Sequence, residues 1–438
     1  MYADSPISWV MRHRLGQMVL ERDAGLYRPL HADEPIKVTG RLDLAALDRA
    51  WRRVQQRHPV VLCGFDLSRA PDFVWRLEDP AEPGGLVVLP VSEEETASVA
   101  VSDAISAPFD RYAGPIARLV VAPLTGGAHV LALVVDHIMA DFWSLNVLMH
   151  DLTAFYSEES GIPAPPRPPA TLTFPEYARR QNAYLESPEG TGAIEAIGVR
   201  LADTGPIPTT RIAGFTGAAT AGYGNTGQFS DRIDAELTAA VKQAARRARV
   251  SMWTFIHAAS HRALADLSDD PAAASVMQSA NRERPDIDQT VGWIAGKLVV
   301  PSRPHDAPDT IGFLRSFGAS MLDTLDTADV PWPRLIAEYV PESFGRHSQR
   351  PYFGFNAMPL GLLRRLGAWR FPGCESAPFE ASASTPDTAV SLSFTESEAD
   401  IAVTAQYRAD WYPAEAARNL WETVRQRLRS WVKESGVH

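Results

Sequence analysis

Residues 128–152 read AHVLALVVDHIMADFWSLNVLMHDL and contain the change from strand to helix that decides the fold. The first nine, AHVLALVVD, are rich in leucine and β-branched residues, which predicts a strand buried on both faces. From Leu145 to Tyr156 apolar residues recur at helical spacing, which predicts an amphipathic helix. His137 therefore lies at a strand end, and Asp141 lies near a helix start, where a carboxylate can cap free N–H groups.

Further strands and helices flank this stretch. Helical spacing of apolar residues begins at Leu42, and the following RHPVVLCGF (57–65) is predicted to be a strand. Helices are also predicted at 233–249, 251–266 and 413–433, and strands within 390–407. Strands interleaved with helices indicate a mixed α/β class.

A proline-rich segment divides the chain. GIPAPPRPPATL (161–172) contains five prolines and cannot continue a helix, so it is predicted to be an extended linker. A chain of 438 residues exceeds one ordinary core, which favours two lobes. We therefore expect an N-terminal lobe at 1–160 and a C-terminal lobe at 173–438.

Composition excludes several classes of protein. Forty-two basic and 53 acidic residues give a net charge of −11, which disfavours nucleic-acid binding. The two cysteines, Cys63 and Cys374, exclude a disulfide scaffold and fit a reducing cytoplasm. Cysteine and histidine spacing predicts no zinc site, and no apolar stretch is long enough to predict a signal peptide or a membrane span.

The spacing His137-x-x-x-Asp141 is weak by itself. His305 and Asp309 share it within PSRPHDAPD, a proline-rich stretch that is predicted to be a loop. His257 and His261 are spaced like a pair of metal ligands on a helix, but no glutamate stands beside them as a metalloprotease requires. We interpret that pair as ordinary helix residues.

A resemblance to a known family gives His137 its weight. DHIMADFWS resembles the HHxxxDG motif, followed by Trp-Ser, of condensation domains in nonribosomal peptide synthetases. Six further segments resemble motifs of that family in the same order: PISWVMRHRLGQ (6–17), RHPVVLCGF (57–65), TFPEYARRQ (173–181), VGWIAGKL (291–298), VPWPRLI (330–336) and RHSQRPYFGFNAMP (346–359).

The resemblance implies a fold of two chloramphenicol-acetyltransferase-like lobes in a V, with the active site at the lobe interface. It puts His137 at the catalytic position and gives Asp141 a mainly structural role. Candidate substrate contacts are Asp136, Phe142, Trp143 and Ser144 around the motif and Asn356 on a strand of the second lobe.

The resemblance also implies the reaction and its partners. We expect acyl transfer from a carrier-protein thioester to an amine or hydroxyl, with the substrate on the carrier's phosphopantetheine arm and no bound cofactor or metal. No adenylation or carrier segment is recognised, so we expect a free-standing, cytoplasmic and monomeric enzyme of antibiotic-type natural-product biosynthesis. Its carrier would act in trans, and the acceptor would be carrier-bound or a small molecule.

Three residues depart from the family pattern. Asp136 replaces the first histidine, Phe142 replaces the glycine, and Leu62 stands where the family has an arginine that pairs with the motif aspartate. Asp141 then needs another arginine, the helix N-terminus or solvent, because a buried unpaired carboxylate is costly.

Two alternative functions follow from these departures. Asp136, Asp141 and Ser144 satisfy DxxxxDxxS, the signature of heterocyclization domains. The altered motif also suits a non-catalytic platform that binds carriers or tailoring enzymes.

Overall fold

The computed structural model describes residues 5–26, 30–164, 166–169, 172–202, 211–216, 226–282, 284–343, 352–366, 369–381 and 388–436. Residues 346–351 of the last motif-like segment lie outside these ranges. The helices of the described residues are α1 (Trp9–Asp23), α2 (Leu44–Arg57), α3 (Glu94–Ser106), α4 (Phe142–Glu159), α5 (Phe174–Glu186), α6 (Pro188–Arg200), α7 (Ala235–Ala248), α8 (Met252–Asp266), α9 (Thr310–Leu325), α10 (Trp332–Tyr339), α11 (Leu360–Leu366) and α12 (Ala414–Glu434).

The strands are β1 (His31–Gly40), β2 (Phe65–Asp66), β3 (Val74–Trp75), β4 (Val87–Val88), β5 (Ala117–Pro123), β6 (His129–Asp136), β7 (Thr226–Ile233), β8 (Ala273–Ser279), β9 (Gly296–Ser302), β10 (Phe353–Met358), β11 (Cys374–Pro378), β12 (Val390–Glu396) and β13 (Ile401–Arg408). This confirms the mixed α/β class.

The chain forms two compact units. Unit 1 contains residues 1–187, 280–295 and 366–384, and unit 2 contains 188–279, 296–365 and 385–438. The predicted lobe boundary at 161–172 differs from this division, since residues 173–187 belong to unit 1. There the Phe174 ring lies 5.9 Å from that of Trp75, and the Asn182 side chain donates to the carbonyl of Ile7.

Unit 1 is built on a five-stranded sheet in the order β11-β1-β6-β5-β4. Strand β6 lies at its centre, antiparallel to β1 and β5. Alternate side chains of β6 enter two different apolar clusters: Leu131, Leu133 and Val135 pack with α2 and α4, whereas Val130, Ala132 and Val134 pack with α3. The prediction of a strand buried on both faces is confirmed. The C-terminal end of β6 therefore lies between two apolar clusters.

Helix α4 differs from the amphipathic helix that the sequence predicts. Its span contains the predicted residues 145–156, but most of its side chains are buried, including Asn146, Asp151 and Thr153. Only a narrow stripe of the helix faces solvent, so the strand-to-helix junction that precedes it is held firmly.

Unit 2 is built on a six-stranded sheet in the order β7-β13-β12-β10-β8-β9. Strand β10 is parallel to β12 and to β8, and the other neighbouring pairs are antiparallel. An apolar cluster joins this sheet to α7, α8, α9 and α12. The helices and strands predicted at 233–266 and 390–433 are confirmed, with Pro413 as the N-cap of α12.

The prediction of a strand at RHPVVLCGF is wrong. Residues Pro59–Leu62 form a turn of 3₁₀ helix, with Pro59 at its first position, and strand β2 begins only at Phe65. Proline at the start of a helical turn loses no hydrogen bond, which favours this conformation over a strand. Leu62 is 5% exposed and lies in the core of unit 1.

None of the described helices combines the length and the apolar composition that a bilayer crossing needs. Cys63 and Cys374 are both free thiols.

Candidate functional site

The candidate site is the junction between β6 and α4. Strand β6 ends at Asp136, and α4 begins after Asp141, whose carboxylate accepts a 2.8 Å hydrogen bond from the Ser144 N–H. Between them, the His137 N–H donates to the carbonyl of Leu30 at 3.0 Å, and the Met139 N–H donates to the carbonyl of Asp136 at 2.9 Å. The main chain around His137 is therefore held from both sides.

Asp141 is 1% exposed and is bound by groups from distant parts of the sequence. One guanidinium nitrogen of Arg282 lies 3.2 Å from each carboxylate oxygen, and the N–H groups of Ile294 and Ala295 donate at 3.0 and 2.9 Å. Burial alone would raise the pKa of this carboxyl. The charge of Arg282 and the hydrogen bonds from Ala295 and Ser144 outweigh burial, so the pKa of Asp141 is lowered.

Arg282 thus pairs with Asp141 in place of the family arginine that Leu62 replaces. Two of the three predicted substitutes, another arginine and the helix N-terminus, act together on Asp141. A second guanidinium nitrogen of Arg282 donates to the carbonyls of Ile287 and Thr290 at 2.7 and 2.6 Å. Arg282 therefore shapes the 280–295 segment as well as neutralising the carboxylate.

Ser144 and Trp143 bind the same 280–295 segment. The Ser144 hydroxyl is fully buried, lies 2.9 Å from the carbonyl of Gly292 and accepts from the N–H of Gly292. The Trp143 indole N–H donates to the carbonyl of Asp288 at 2.9 Å. A Cβ at position 292 would overlap the Phe174 ring, so this approach requires glycine. Asp141, Trp143 and Ser144 therefore hold a loop in place.

His137 is the exception within the motif. In residues 136–144, all of which are described, it is the one ionisable side chain that stays partly exposed. Its ring centroid lies 4.2 Å from that of Trp293, at an interplanar angle of 47°. Nδ1 of this ring is buried. Trp293 restricts the imidazole, and the surrounding chain fixes its backbone.

Asp136 is fully buried beside His137. Its carboxylate accepts from Nε of Arg111 at 2.6 Å and from the Ile138 N–H at 3.2 Å. The side chain that replaces the family's first histidine is therefore one half of an internal ion pair.

The other two candidate residues have different surroundings. Phe142 is the first residue of α4 and is 44% exposed, an unusual position for a large apolar ring. Asn356 lies on β10 of unit 2, as its predicted strand requires, and its side chain donates to the Ser393 hydroxyl at 3.4 Å.

The second His-x-x-x-Asp pattern has no comparable surroundings. His305 lies on a loop, as predicted, with Nε2 3.6 Å from a carboxylate oxygen of Asp266. Asp309 caps α9 through the N–H of Gly312 and is exposed.

His257 and His261 on α8 are fully buried, and each places Nε2 within 2.8 Å of the Ser275 hydroxyl. The sequence interpretation treats them as ordinary helix residues, and the structure places both on α8 in the core of unit 2. No group of three or more potential metal ligands occurs among the described residues.

Sequence reasoning missed Arg111, Arg282 and Trp293. The VGWIAGKL segment was recognised as motif-like, but nothing in it marked Trp293 as a neighbour of His137. Arg282 and Arg284 look alike in ANRERPD, yet Arg282 is buried and Arg284 is 57% exposed. The only signal available was the unmatched charge of Asp141, which required a buried cation somewhere in the chain.

Comparisons with known proteins identify the family. The model of the Condensation domain family matches residues 33–435, and the chain belongs to this family. Chondramide synthase of Chondromyces crocatus is 23% identical over 413 residues, covering 91% of this chain and 10% of that protein. The chain spans a tenth or less of the length of the first curated relatives that it matches.

Solved structures show the same fold. The X-domain from teicoplanin biosynthesis superposes with a TM-score of 0.81 at 22% identity, over 98% of this chain and 95% of that one. The same X-domain has been solved in complex with OxyB. The first condensation domain of the calcium-dependent antibiotic synthetase gives a TM-score of 0.72 at 14% identity, over 97% and 96% of the two chains. The fold is that of condensation domains.

Proposed function

We propose that this chain transfers an acyl or aminoacyl group from a carrier-protein thioester to an amine or hydroxyl acceptor, forming an amide or an ester. The observation that carries the proposal is the contrast within the motif. Asp136 and Asp141 are buried in ion pairs, whereas His137 is only partly buried and its ring lies beside Trp293. Membership of the condensation-domain family supports the reaction class.

The proposed reaction needs one base and no covalent acyl-enzyme. Nε2 of His137 accepts the proton of the attacking amine or hydroxyl while its nitrogen or oxygen bonds to the thioester carbonyl carbon. The carbon–sulfur bond then breaks, and the carrier's phosphopantetheine thiol leaves with a proton. An unperturbed imidazole titrates near pH 6.5, so it can accept a proton at neutral pH.

Removal of the imidazole tests this proposal. The purified chain is given an acylated carrier protein and a panel of amines and alcohols, and products are measured by mass spectrometry. His137→Ala should lower product formation at least about a hundredfold, the scale of lost general-base catalysis. His305→Ala, the matched control, should leave it unchanged. Undiminished turnover in His137→Ala would remove this residue from the mechanism.

The heterocyclization alternative receives no support from the site. Asp136, Asp141 and Ser144 are each at most 1% exposed, so none of the three signature side chains is open to a substrate. A product lighter by one water than the simple condensation product would revive that alternative.

A platform that binds a partner enzyme is the second candidate. Its support is the TM-score of 0.81 to an X-domain that has been solved with a bound enzyme, together with the exposed ring of Phe142. This candidate requires partner binding with no product from any acceptor in the panel. Formation of a product that depends on His137 would eliminate it.

A further inference from the structure

Unit 2 contains a pocket that the proposed reaction does not use. It has a volume of about 420 Å³, within the range of small-molecule sites, and lies between the end of β9 and the N-terminal half of α9. Its lining combines polar with apolar residues: Ser302, Arg303, Asp306 and Ser316 with Pro301, Ala307 and Pro308. None of these residues belongs to the His137 motif or to the 280–295 segment.

A chain of hydrogen bonds runs from this pocket into the core of unit 2. The Ser302 hydroxyl lies 2.8 Å from Nδ1 of His261, and Nε2 of His261 lies 2.8 Å from the Ser275 hydroxyl. That hydroxyl lies 2.6 Å from Nε2 of His257, whose Nδ1 lies 3.1 Å from the sulfur of Met321. Both imidazoles and Ser275 are fully buried.

The Met321 thioether at the inner end determines the donor and acceptor of every hydrogen bond in this series. A thioether can accept a hydrogen bond but cannot donate one, so Nδ1 of His257 carries the hydrogen. Burial lowers the pKa of both imidazoles, that of His261 to about 3, so each is neutral and has a single N–H. Nε2 of His257 must then accept from Ser275.

The order continues to the pocket. Because the single hydrogen of Ser275 is used toward His257, its oxygen accepts from Nε2–H of His261. Nδ1 of His261 then accepts from the Ser302 hydroxyl. The hydrogen of Ser302 is directed inward, and its oxygen lone pairs remain for the pocket.

We infer that this pocket binds a small molecule with a primary ammonium group and an apolar substituent. The ammonium donates to the Ser302 oxygen and pairs with the Asp306 carboxylate, while the substituent packs on the apolar wall that Ala307 and Pro308 form. The ammonium is the group that the ordered Ser302 recognises. This site is independent of the proposed function.

Calorimetric titration with phenethylamine and with 3-phenylpropionate tests the inference. Phenethylamine should bind at least about tenfold more tightly than the phenylpropionate, and Ser302→Ala should remove at least about tenfold of its affinity, as loss of a hydrogen bond to a charged group predicts. Ser98→Ala, a matched loss of a hydroxyl in unit 1, should change nothing. Absence of saturable binding, equal binding of the two compounds or unchanged binding in Ser302→Ala would overturn the inference.

Nitrogen-15 NMR of labelled histidines tests the proton order directly. The wild-type chain should show the Nε2–H tautomer of His261 and the Nδ1–H tautomer of His257, whereas an Nδ1–H tautomer of His261 would contradict the inference. Met321→Leu conserves volume and removes the acceptor at the inner end. Its preference for phenethylamine over 3-phenylpropionate should fall at least about threefold, and an unchanged preference would show that Met321 does not set the direction.

Discussion

The two His-x-x-x-Asp stretches, His137 to Asp141 and His305 to Asp309, share a spacing and one structural role. Both aspartates cap a helix, through the N–H groups of Ser144 and Gly312 respectively. The two aspartates differ in burial and in pairing. Asp141 is buried and paired with an arginine, whereas Asp309 is exposed at the end of a loop. A spacing pattern selects a local cap, and only long-range contacts turn that cap into a site.

The largest difference should appear when the two carboxylates are removed in turn. Asp141→Ala leaves Arg282 as a buried unpaired charge and should lower the free energy of unfolding by about 3–5 kcal/mol. Asp309→Ala removes only a cap and should cost about 1 kcal/mol. Urea unfolding of both variants measures the two losses. Equal losses would show that the ion pair adds nothing to the cap.

The glycines that donate to these two sites give a second contrast. Gly292→Ala pushes a methyl group into the Phe174 ring and should destabilise the chain by about 1–3 kcal/mol. In Gly312→Ala the added carbon would meet the Asp309 carboxylate at 3.2 Å, a mild crowding that the helix propensity of alanine offsets, so the net change should stay within about 1 kcal/mol. Thermal unfolding separates the two. An unchanged unfolding temperature in Gly292→Ala would mean that the 280–295 segment can move away from Phe174.

Acid should reduce the contribution of the Asp141 carboxylate to the free energy of unfolding. The pKa of this carboxyl is lowered in the folded chain, so its contribution is complete above the unfolded value of about 3.9 and is lost as the pH falls below it. The stability gap between the wild type and Asp141→Asn, measured by urea unfolding from pH 6 to pH 2.5, should therefore narrow below pH 4. A gap that stays constant would assign the stabilisation to packing and not to charge.

The smallest effects on stability should come from the first residues of the two capped helices. Phe142 is largely exposed, so Phe142→Ala should change the free energy of unfolding by no more than about 0.5 kcal/mol. Thr310→Ala at the start of α9 is the control and should also have a small effect. Turnover should distinguish them, with larger acceptors accepted better by Phe142→Ala and no change in Thr310→Ala. Identical acceptor preferences in Phe142→Ala and the wild type would show that Phe142 does not contact the acceptor.

Local patterns predicted the parts of this molecule that depend on neighbours in the sequence. The apolar run of β6, the helical spacing of α4 and the capping position of Asp141 were all readable from residues 128–152. The partners of the two aspartates were not, because Arg111 and Arg282 lie 25 and 141 residues away. The 3₁₀ turn at Pro59 was missed for another reason. Its apolar composition is typical of a strand, and the proline was the single residue that favoured a helical turn.

The ion pair of Asp136 and Arg111 has a consequence for how the motif can change over evolutionary time. A single substitution, Asp136→His, would restore the first histidine of the family motif but would leave the Arg111 guanidinium next to a ring without a fixed charge. Arg111 is 12% exposed and Asp136 is fully buried, so the loss of one partner is costly until the other is replaced. We therefore expect the two positions to be epistatic, so that a return to the family motif requires a second, compensating mutation.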